Sequence, residues 1–265
     1  MQSAALPAAA EAFDSIASDF DRRFSGWRSV EAQRRAVRAE LIHAFPSGSR
    51  LIEVGGGTGD DALWLAAQGR EVLLTDASPA MVAAASSKGV RAKVAAAERF
   101  GELADELADE PRFDGAYSVF APLNCVADLR PYAQGLARLL RPGAPLMLVM
   151  FGTCCPGEML VETLRGRPGN ALRRFSRGDV PARLKGREFN VRYYRQADLE
   201  RMLSPWFRLQ SRRGIGIFIP PSAAEPWISR HPRLLGALEK LDRIAARPLA
   251  VLGDHVLYRF ERTPA

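Results

Sequence analysis

The stretch Leu51-Ile52-Glu53-Val54-Gly55-Gly56-Gly57-Thr58-Gly59 decides the fold. Leu51, Ile52 and Val54 make a short apolar strand, and the strand runs straight into glycines at alternate positions, with Gly56 as an extra. Residues without Cβ take positive φ at little cost and let a ligand lie against the main chain. A helix is expected at once: Thr58 as its N-cap, Asp61 completing a Thr-x-x-Asp capping box, and Ala62, Leu63, Leu65 and Ala66 as helix formers with an apolar face. The unit is strand, glycine turn, helix.

A dinucleotide fingerprint wants its third glycine at position 60, where this chain has Asp60. A carboxylate there would share a helix N-terminus with a pyrophosphate and repel it, so the expected ligand is cationic or zwitterionic. Val72, Leu73 and Leu74 form a second strand ending at Asp76, placed to accept hydrogen bonds from a ribose diol. Ala77-Ser78-Pro79-Ala80-Met81 reads as a loop with Pro79 in the first turn of the next helix, from which Met81 can lie across an adenine face.

From Glu53 through Gly55, Gly57 and Gly59 to Asp76, Met81 and Phe113-Asp114-Gly115-Ala116-Tyr117-Ser118, the chain resembles the class I S-adenosylmethionine-dependent methyltransferases of the methyltransferase-11 kind. S-adenosylmethionine carries an ammonium, a carboxylate and a sulfonium but no phosphate, which satisfies the charge requirement at Asp60. The resemblance implies an α/β fold: a Rossmann-like, doubly wound seven-stranded sheet with its last strand antiparallel, here with helical cap insertions. It implies cofactor contacts at Glu53, Gly55, Gly56, Gly57, Gly59, Asp76, Ala77, Met81, Ala97, Glu98 and Phe120. The family usually presents an acidic residue to the adenine amino group after the third strand. Ala96 stands at that place, so Glu98 or backbone groups would take over.

The chain of 265 residues, 47% hydrophobic and 25% charged, is expected to be one core with decorations. Residues 1–45 are expected to form N-terminal lid helices, and 46–265 the core, with insertions at 152–192 and 220–250. No apolar run reaches the roughly 20 residues of a membrane span, and the first residues lack the pattern of a signal peptide, which predicts a cytoplasmic protein. Cys125, Cys154 and Cys155 are read as free thiols, and no zinc spacing or other metal cluster stands out. The net charge of +7 is concentrated between Arg165 and Arg195, a local feature read as a solvated arginine-rich face. The oligomeric state is left open.

Phe13, Ile16, Ala17, Phe20 and Phe24 recur at helical spacing ahead of the core. Helices of this kind lie over cofactor and acceptor in the family, which makes Phe20 and Trp27 candidate lid residues. Asn124, at the carboxyl edge of the fourth strand, is a candidate substrate contact. If the last strand is antiparallel, both insertions and the first helix surround one cleft. Methyl transfer needs alignment in a water-poor site more than a fixed catalytic motif, and a hydroxyl acceptor would profit from a base, for which His255 is the candidate. The expected function is methyl transfer from S-adenosylmethionine to a small-molecule acceptor, O- or N-linked, with nucleic acid disfavoured as a partner because no Asn-Pro-Pro-Tyr-like tetrapeptide follows the fourth strand. The alternative is a binding module for nucleic acid or an anionic surface, using the arginine-rich insertion on a retained scaffold.

Overall fold

The computed structural model describes residues 6–24 and 26–264, apart from the side chains of residues 23 and 24, so the expected apolar position of Phe24 lies outside the described residues. The strands are β1 (Arg50–Val54), β2 (Glu71–Asp76), β3 (Arg91–Val94), β4 (Gly115–Ser118), β5 (Pro145–Phe151), β6 (Val180–Leu184), β7 (Arg187–Val191), β8 (Phe207–Ile215) and β9 (His255–Arg262). Seven form one sheet in the order β3-β2-β1-β4-β5-β9-β8, and β6 and β7 form a separate hairpin. β1 to β5 pair in parallel, whereas β9 runs antiparallel to both β5 and β8. This is the doubly wound Rossmann-like sheet with a reversed last strand.

The helices are α1 (Ala8–Asp14), α2 (Phe20–Phe24), α3 (Arg28–Ala44), α4 (Asp60–Ala67), α5 (Pro79–Ser87), α6 (Phe100–Glu106), α7 (Arg130–Leu139), α8 (Pro156–Leu164), α9 (Pro168–Leu172), α10 (Gln196–Leu203) and α11 (Pro232–Ala245). Parallel strands covered on both faces must be apolar on both, and β1 is: Ile52 packs with Phe100, Tyr132 and Leu136, while Leu51 packs with Val37, Leu41 and Leu65. α3 therefore belongs to the core, and only the segment before it is free to serve as a lid. Strand order reverses between β1 and β4, and ligands of open α/β sheets bind at such a switch point.

Two expectations change. The amphipathic stretch from Phe13 is not one helix, because α1 ends at Asp14 and a 3-10 turn (Ala17–Asp19) precedes α2. The break is held by the Asp14 carboxylate, which accepts hydrogen bonds from Ser78 Oγ at 2.7 Å and Ala80 N at 2.9 Å, and by Ile16, buried against Met81. The first insertion contains the β6–β7 hairpin, unforeseen in sequence. Its tight turn places Lys185 at φ 45° and Gly186 at φ 83°, the paired positive values of a two-residue hairpin turn.

The first insertion meets the core through Arg174. Its guanidinium, buried, donates to Glu158 Oε2 and to Asp254 Oδ1, both at 2.6 Å, and to the carbonyls of Asp254 at 2.7 Å and Gly152 at 3.2 Å. Cys155, Glu158 and Asp254 bring potential metal-ligand atoms within 4.8 Å of one another. Arg174 already bonds both carboxylates, so the group is an ion-pair network tying the first insertion to the start of β9. Removing the cation strands two buried charges. Arg174→Met is expected to lower the unfolding free energy by about 3–5 kcal/mol in denaturant titration, and a loss below about 1 kcal/mol would mean that the network is solvated.

Candidate active site

The turn after β1 is built by main-chain hydrogen bonds. Gly55 and Gly56 N–H both donate to the Thr75 carbonyl, at 2.8 and 3.1 Å, and Gly57 N–H donates to Asp76 Oδ2 at 2.9 Å. The other Asp76 oxygen accepts from Ser78 N at 2.9 Å. Asp76 thus fixes the turn while lining the pocket, and burial raises its pKa. The glycines serve different ends. A Cβ on Gly56 would stand 2.6 Å from Leu74 and 2.7 Å from Glu53 Oε2, and one on Gly55 2.4 Å from Pro122, so these two are required by packing. At Gly57, φ +55°, a Cβ would meet nothing within 4 Å and would project into the pocket.

That pocket, about 400 Å³, is lined by Glu53, Gly55, Gly56, Gly57, Asp76, Ala77, Met81, Ala97, Glu98 and Phe120, among others. Ten of the eleven positions singled out in sequence for the cofactor are therefore brought together. Gly59 is the exception. It is the left-handed N-cap of α4, and its Cβ would press on Val90 at 3.0 Å and Ala85 at 3.2 Å, so it serves helix packing. The Thr58–Asp61 capping box is likewise replaced: Thr58 Oγ1 donates to Asp21, and Asp61 pairs with Arg38 at 2.7 Å.

Glu53 tests whether S-adenosylmethionine fits. Its Oε2 is buried at the pocket wall without a hydrogen-bond partner. Burial, assisted by the nearby charge of Asp61, holds its pKa well above the usual carboxylate range. A buried acceptor of this kind suits a cationic amine. Arg34, which the sequence reading missed, lines the same pocket over the Phe120 ring at 5.2 Å and can meet a ligand carboxylate. It also pairs with Asp60 at 3.1 Å, while Lys88 approaches Asp60 at 3.4 Å. The Asp60 charge is thus balanced, which removes much of the repulsion argued against a pyrophosphate. Nothing in the sequence distinguishes Arg34 from the other arginines of α3. Phe120 and Ala121 both sit at positive φ, 60° and 69°, strained backbone at the switch point that turns the Phe120 ring toward the pocket.

An aromatic wall closes the other side. Phe13 and Phe20 from the leading segment, Phe189 and Val191 from β7, and Tyr193 and Phe151 line it. Phe13 packs on Phe20 with ring centroids 6.4 Å apart and on Phe189 at 5.8 Å. Asp14 and Asp21 hold the segment to the core, and Arg187–Glu11 at 3.2 Å and Lys185–Asp19 at 3.4 Å hold it to the hairpin.

Three expected site residues fall elsewhere. Asn124 is fully buried with both ends of its amide committed, its Nδ2 donating to the Arg192 carbonyl and its Oδ1 accepting from Phe151 N at 3.1 Å. It joins β5 to the end of the first insertion. Trp27 is the N-cap of α3, outside the pocket lining. His255 lies behind the pocket wall, stacked on Phe151 at 5.0 Å and edge-on to Phe120 at 5.7 Å, with Nδ1 3.2 Å from Gln33 Oε1. Burial lowers its pKa, which keeps it neutral, and it does not reach the pocket. Cys125 does line it, its thiol pushed up to about 11 by burial.

Residues 51–143 match the protein family described as a methyltransferase domain. The tRNA 5-carboxymethoxyuridine methyltransferase of Escherichia coli strain K12 is 30% identical over 148 residues, 52% of this chain and 56% of that protein, so the match spans little more than half of the relative. Among solved structures, an S-adenosylmethionine-dependent methyltransferase of Methanosarcina mazei superposes with TM-score 0.55 at 17% identity, covering 85% of this chain and 97% of that one. The CcbJ methyltransferase of Streptomyces caelestis gives TM-score 0.56 at 15% identity, over 88% and 90%. These likenesses bear on the fold. The curated relative acts on tRNA, so the expectation that nucleic acid is disfavoured finds no support in it. No helix among the described residues is long and apolar enough to cross a membrane.

Two outcomes test the cradle. Gly57→Ala should cost about 1 kcal/mol of folding, the strain of a left-handed residue, yet abolish S-adenosylhomocysteine binding in calorimetry, whereas Gly56→Ala should fail to fold stably. A Gly57→Ala protein with ordinary affinity would place the ligand elsewhere. Glu53 gives a pH signature. Between the ordinary carboxylate pKa and its raised value it is protonated in the ligand-free protein. A ligand ammonium beside Oε2 favours the carboxylate, so binding should release a proton and tighten as pH rises through that window. Calorimetry in two buffers of different ionisation enthalpy, repeated from acidic to neutral pH, reads the release, and equal heats at every pH would contradict it.

Proposed function

We infer that the chain is a class I S-adenosylmethionine-dependent methyltransferase: residues 51–143 match a methyltransferase domain, and the residues of the pocket suit that cofactor. The protein is proposed to transfer the methyl group to a small acceptor enclosed between the glycine turn and the aromatic lid. The observation carrying this is the continuity of the pocket, which runs from Gly57 and Asp76 to Phe13, Phe20 and Phe189 without a break. Glu53 would hold the amine, Arg34 the carboxylate, Asp76 the ribose hydroxyls, and Met81, Ala97 and Glu98 the adenine side.

When bound, the cofactor supplies a methyl group on a positively charged sulfur, whose departure needs no acid. The chain's work is then to align and to keep water out. Phe13, Phe20, Phe151, Phe189 and Val191 supply an apolar enclosure, and fixing a reacting pair in such a site accounts for much of a displacement barrier. No histidine lines the pocket among the described residues, so the proposed reaction proceeds without His255 as a base. His255 instead backs the Phe120 and Phe151 rings. In this reading the lid is residues 6–24 together with β6–β7 of the first insertion, while residues 220–250, expected beside the same cleft, contribute nothing to the pocket lining and pack on α3 instead.

A second reading, a nucleoside acceptor within a tRNA, takes its support from the curated relative. Against it, most arginines of the first insertion are paired: Arg165 with Glu162, Arg173 and Arg174 with Glu158, Arg183 with Glu188, Arg187 with Glu11 and Arg192 with Asp179. An extended nucleic-acid face needs cations in surplus along it, and among the described residues of this insertion only Arg167 and Arg177 are arginines without an ion pair. Methyl-labelled cofactor offered with total tRNA or with a metabolite extract separates the two. Label in the extract's small-molecule fraction is the expected result, and label confined to tRNA would overturn the small-acceptor reading. Asp76→Ala should weaken S-adenosylhomocysteine binding by about 1–3 kcal/mol, and unchanged affinity would remove Asp76 from the cofactor site.

A further inference from the structure

A second cleft, about 670 Å³, lies beside the pocket and shares Tyr193 with it. The two cavities flank the same two short segments. Arg173 and Val180 line the pocket while Ser176, Arg177 and Gly178 between them line the cleft, and Val191 lines the pocket while Arg192 lines the cleft. The two segments form the wall between the cavities, and Tyr193 is the residue that lines both.

The cleft is strongly basic. Arg130, Arg177, Arg192, Arg195 and Arg201 face it, with Asp128 and Asp198 as the acids. Asp128 pairs with Arg130 at 2.7 Å, Asp198 with Arg201 at 2.8 Å, and neighbouring Asp179 with Arg192. Asp128 and Asp198 also accept hydrogen bonds from the backbone N–H of Arg130 and Arg195, so their charge is spent locally. Arg177 and Arg195, both exposed, have no carboxylate partner among the described residues. Most other arginines of the insertion are paired, with its own acids or, for Arg187, with Glu11 of the leading segment, whereas Arg177 and the neighbouring Arg195 leave a surplus of positive charge at this concavity.

We propose that this cleft is a phosphate subsite for the methyl acceptor, in which Arg177 and Arg195 grip a phosphate while the acceptor's methylated end passes Tyr193 into the pocket. Guanidinium forks match phosphate oxygens in geometry and charge. The inference rests on the methyltransferase reading, and narrows the acceptor to one carrying phosphate. The phosphate belongs either to a small phosphorylated metabolite or to a nucleic-acid backbone.

The experiment uses the full chain and the Arg177→Ser/Arg195→Ser double variant. Calorimetry first measures S-adenosylhomocysteine, whose affinity should be the same in both proteins. Its failure to bind would sink the methyltransferase reading itself. Inorganic pyrophosphate, a mononucleotide and a tRNA anticodon stem-loop are then titrated into the complex with S-adenosylhomocysteine at two salt concentrations. At least one phosphate probe should bind wild type and lose tenfold or more in the double variant. The mononucleotide binding as tightly as the stem-loop marks a metabolite phosphate, and a tighter, steeply salt-dependent stem-loop marks a backbone phosphate. Either supports the subsite. S-adenosylhomocysteine binding with no phosphate probe bound, or with probe affinity unchanged in the double variant, would overturn it.

Discussion

The hydrogen bond from Gly57 N–H to Asp76 Oδ2, 2.9 Å long, is the contact on which the site depends. It ties the tips of β1 and β2 together at the point where the chain must leave the sheet. It also holds a positive-φ residue against open space, while the other carboxylate oxygen accepts from Ser78 N. The same turn aims Glu53 into the pocket wall and starts α4 with Gly59 in the left-handed region. Any side chain at Gly55 or Gly56 would collide with Pro122 or Leu74, so the sheet's own packing forces the backbone outward into the ligand's place.

The lid follows from the same edge. Its anchors are acids that reach across to donors at helix ends: Asp14 to Ser78 and Ala80 at the head of α5, and Asp21 to Thr58 just before α4 and to Lys88 at the end of α5. Exposed ion pairs of the Lys185–Asp19 kind are individually weak, typically under about 1 kcal/mol. Segments held by a few such contacts and an apolar face open locally without unfolding the core. In the proposed reaction such a segment would open to admit the acceptor and close to exclude water.

The sheet and cradle were legible because their constraints are local. Alternating glycines after an apolar strand, an aspartate closing the next strand, and a proline opening the next helix each have a narrow physical reading. The wall opposite was not, for reasons particular to each residue. Asn124 looked like a substrate amide, but only its partners, the Arg192 carbonyl and Phe151 N–H far along the chain, reveal a structural clasp. His255 starts β9 at the ligand edge as expected, yet its cross-strand partner is Phe151, whose ring stacks on it and takes the pocket side. The hairpin carried a readable signal, alternation on both sides of Lys185-Gly186, hidden by its many arginines. Arg34 had no local signal at all, because its role arises from the docking of α3 against the turn.

The central claim is that the glycine turn, the leading segment and the β6–β7 hairpin form one enclosure around cofactor and acceptor. Hydrogen exchange of the full chain with and without S-adenosylhomocysteine tests it most directly. Protection gained together by residues 53–60, 8–20 and 180–191 is the predicted result. Protection confined to residues 53–124, with the leading segment and hairpin exchanging as before, would contradict it.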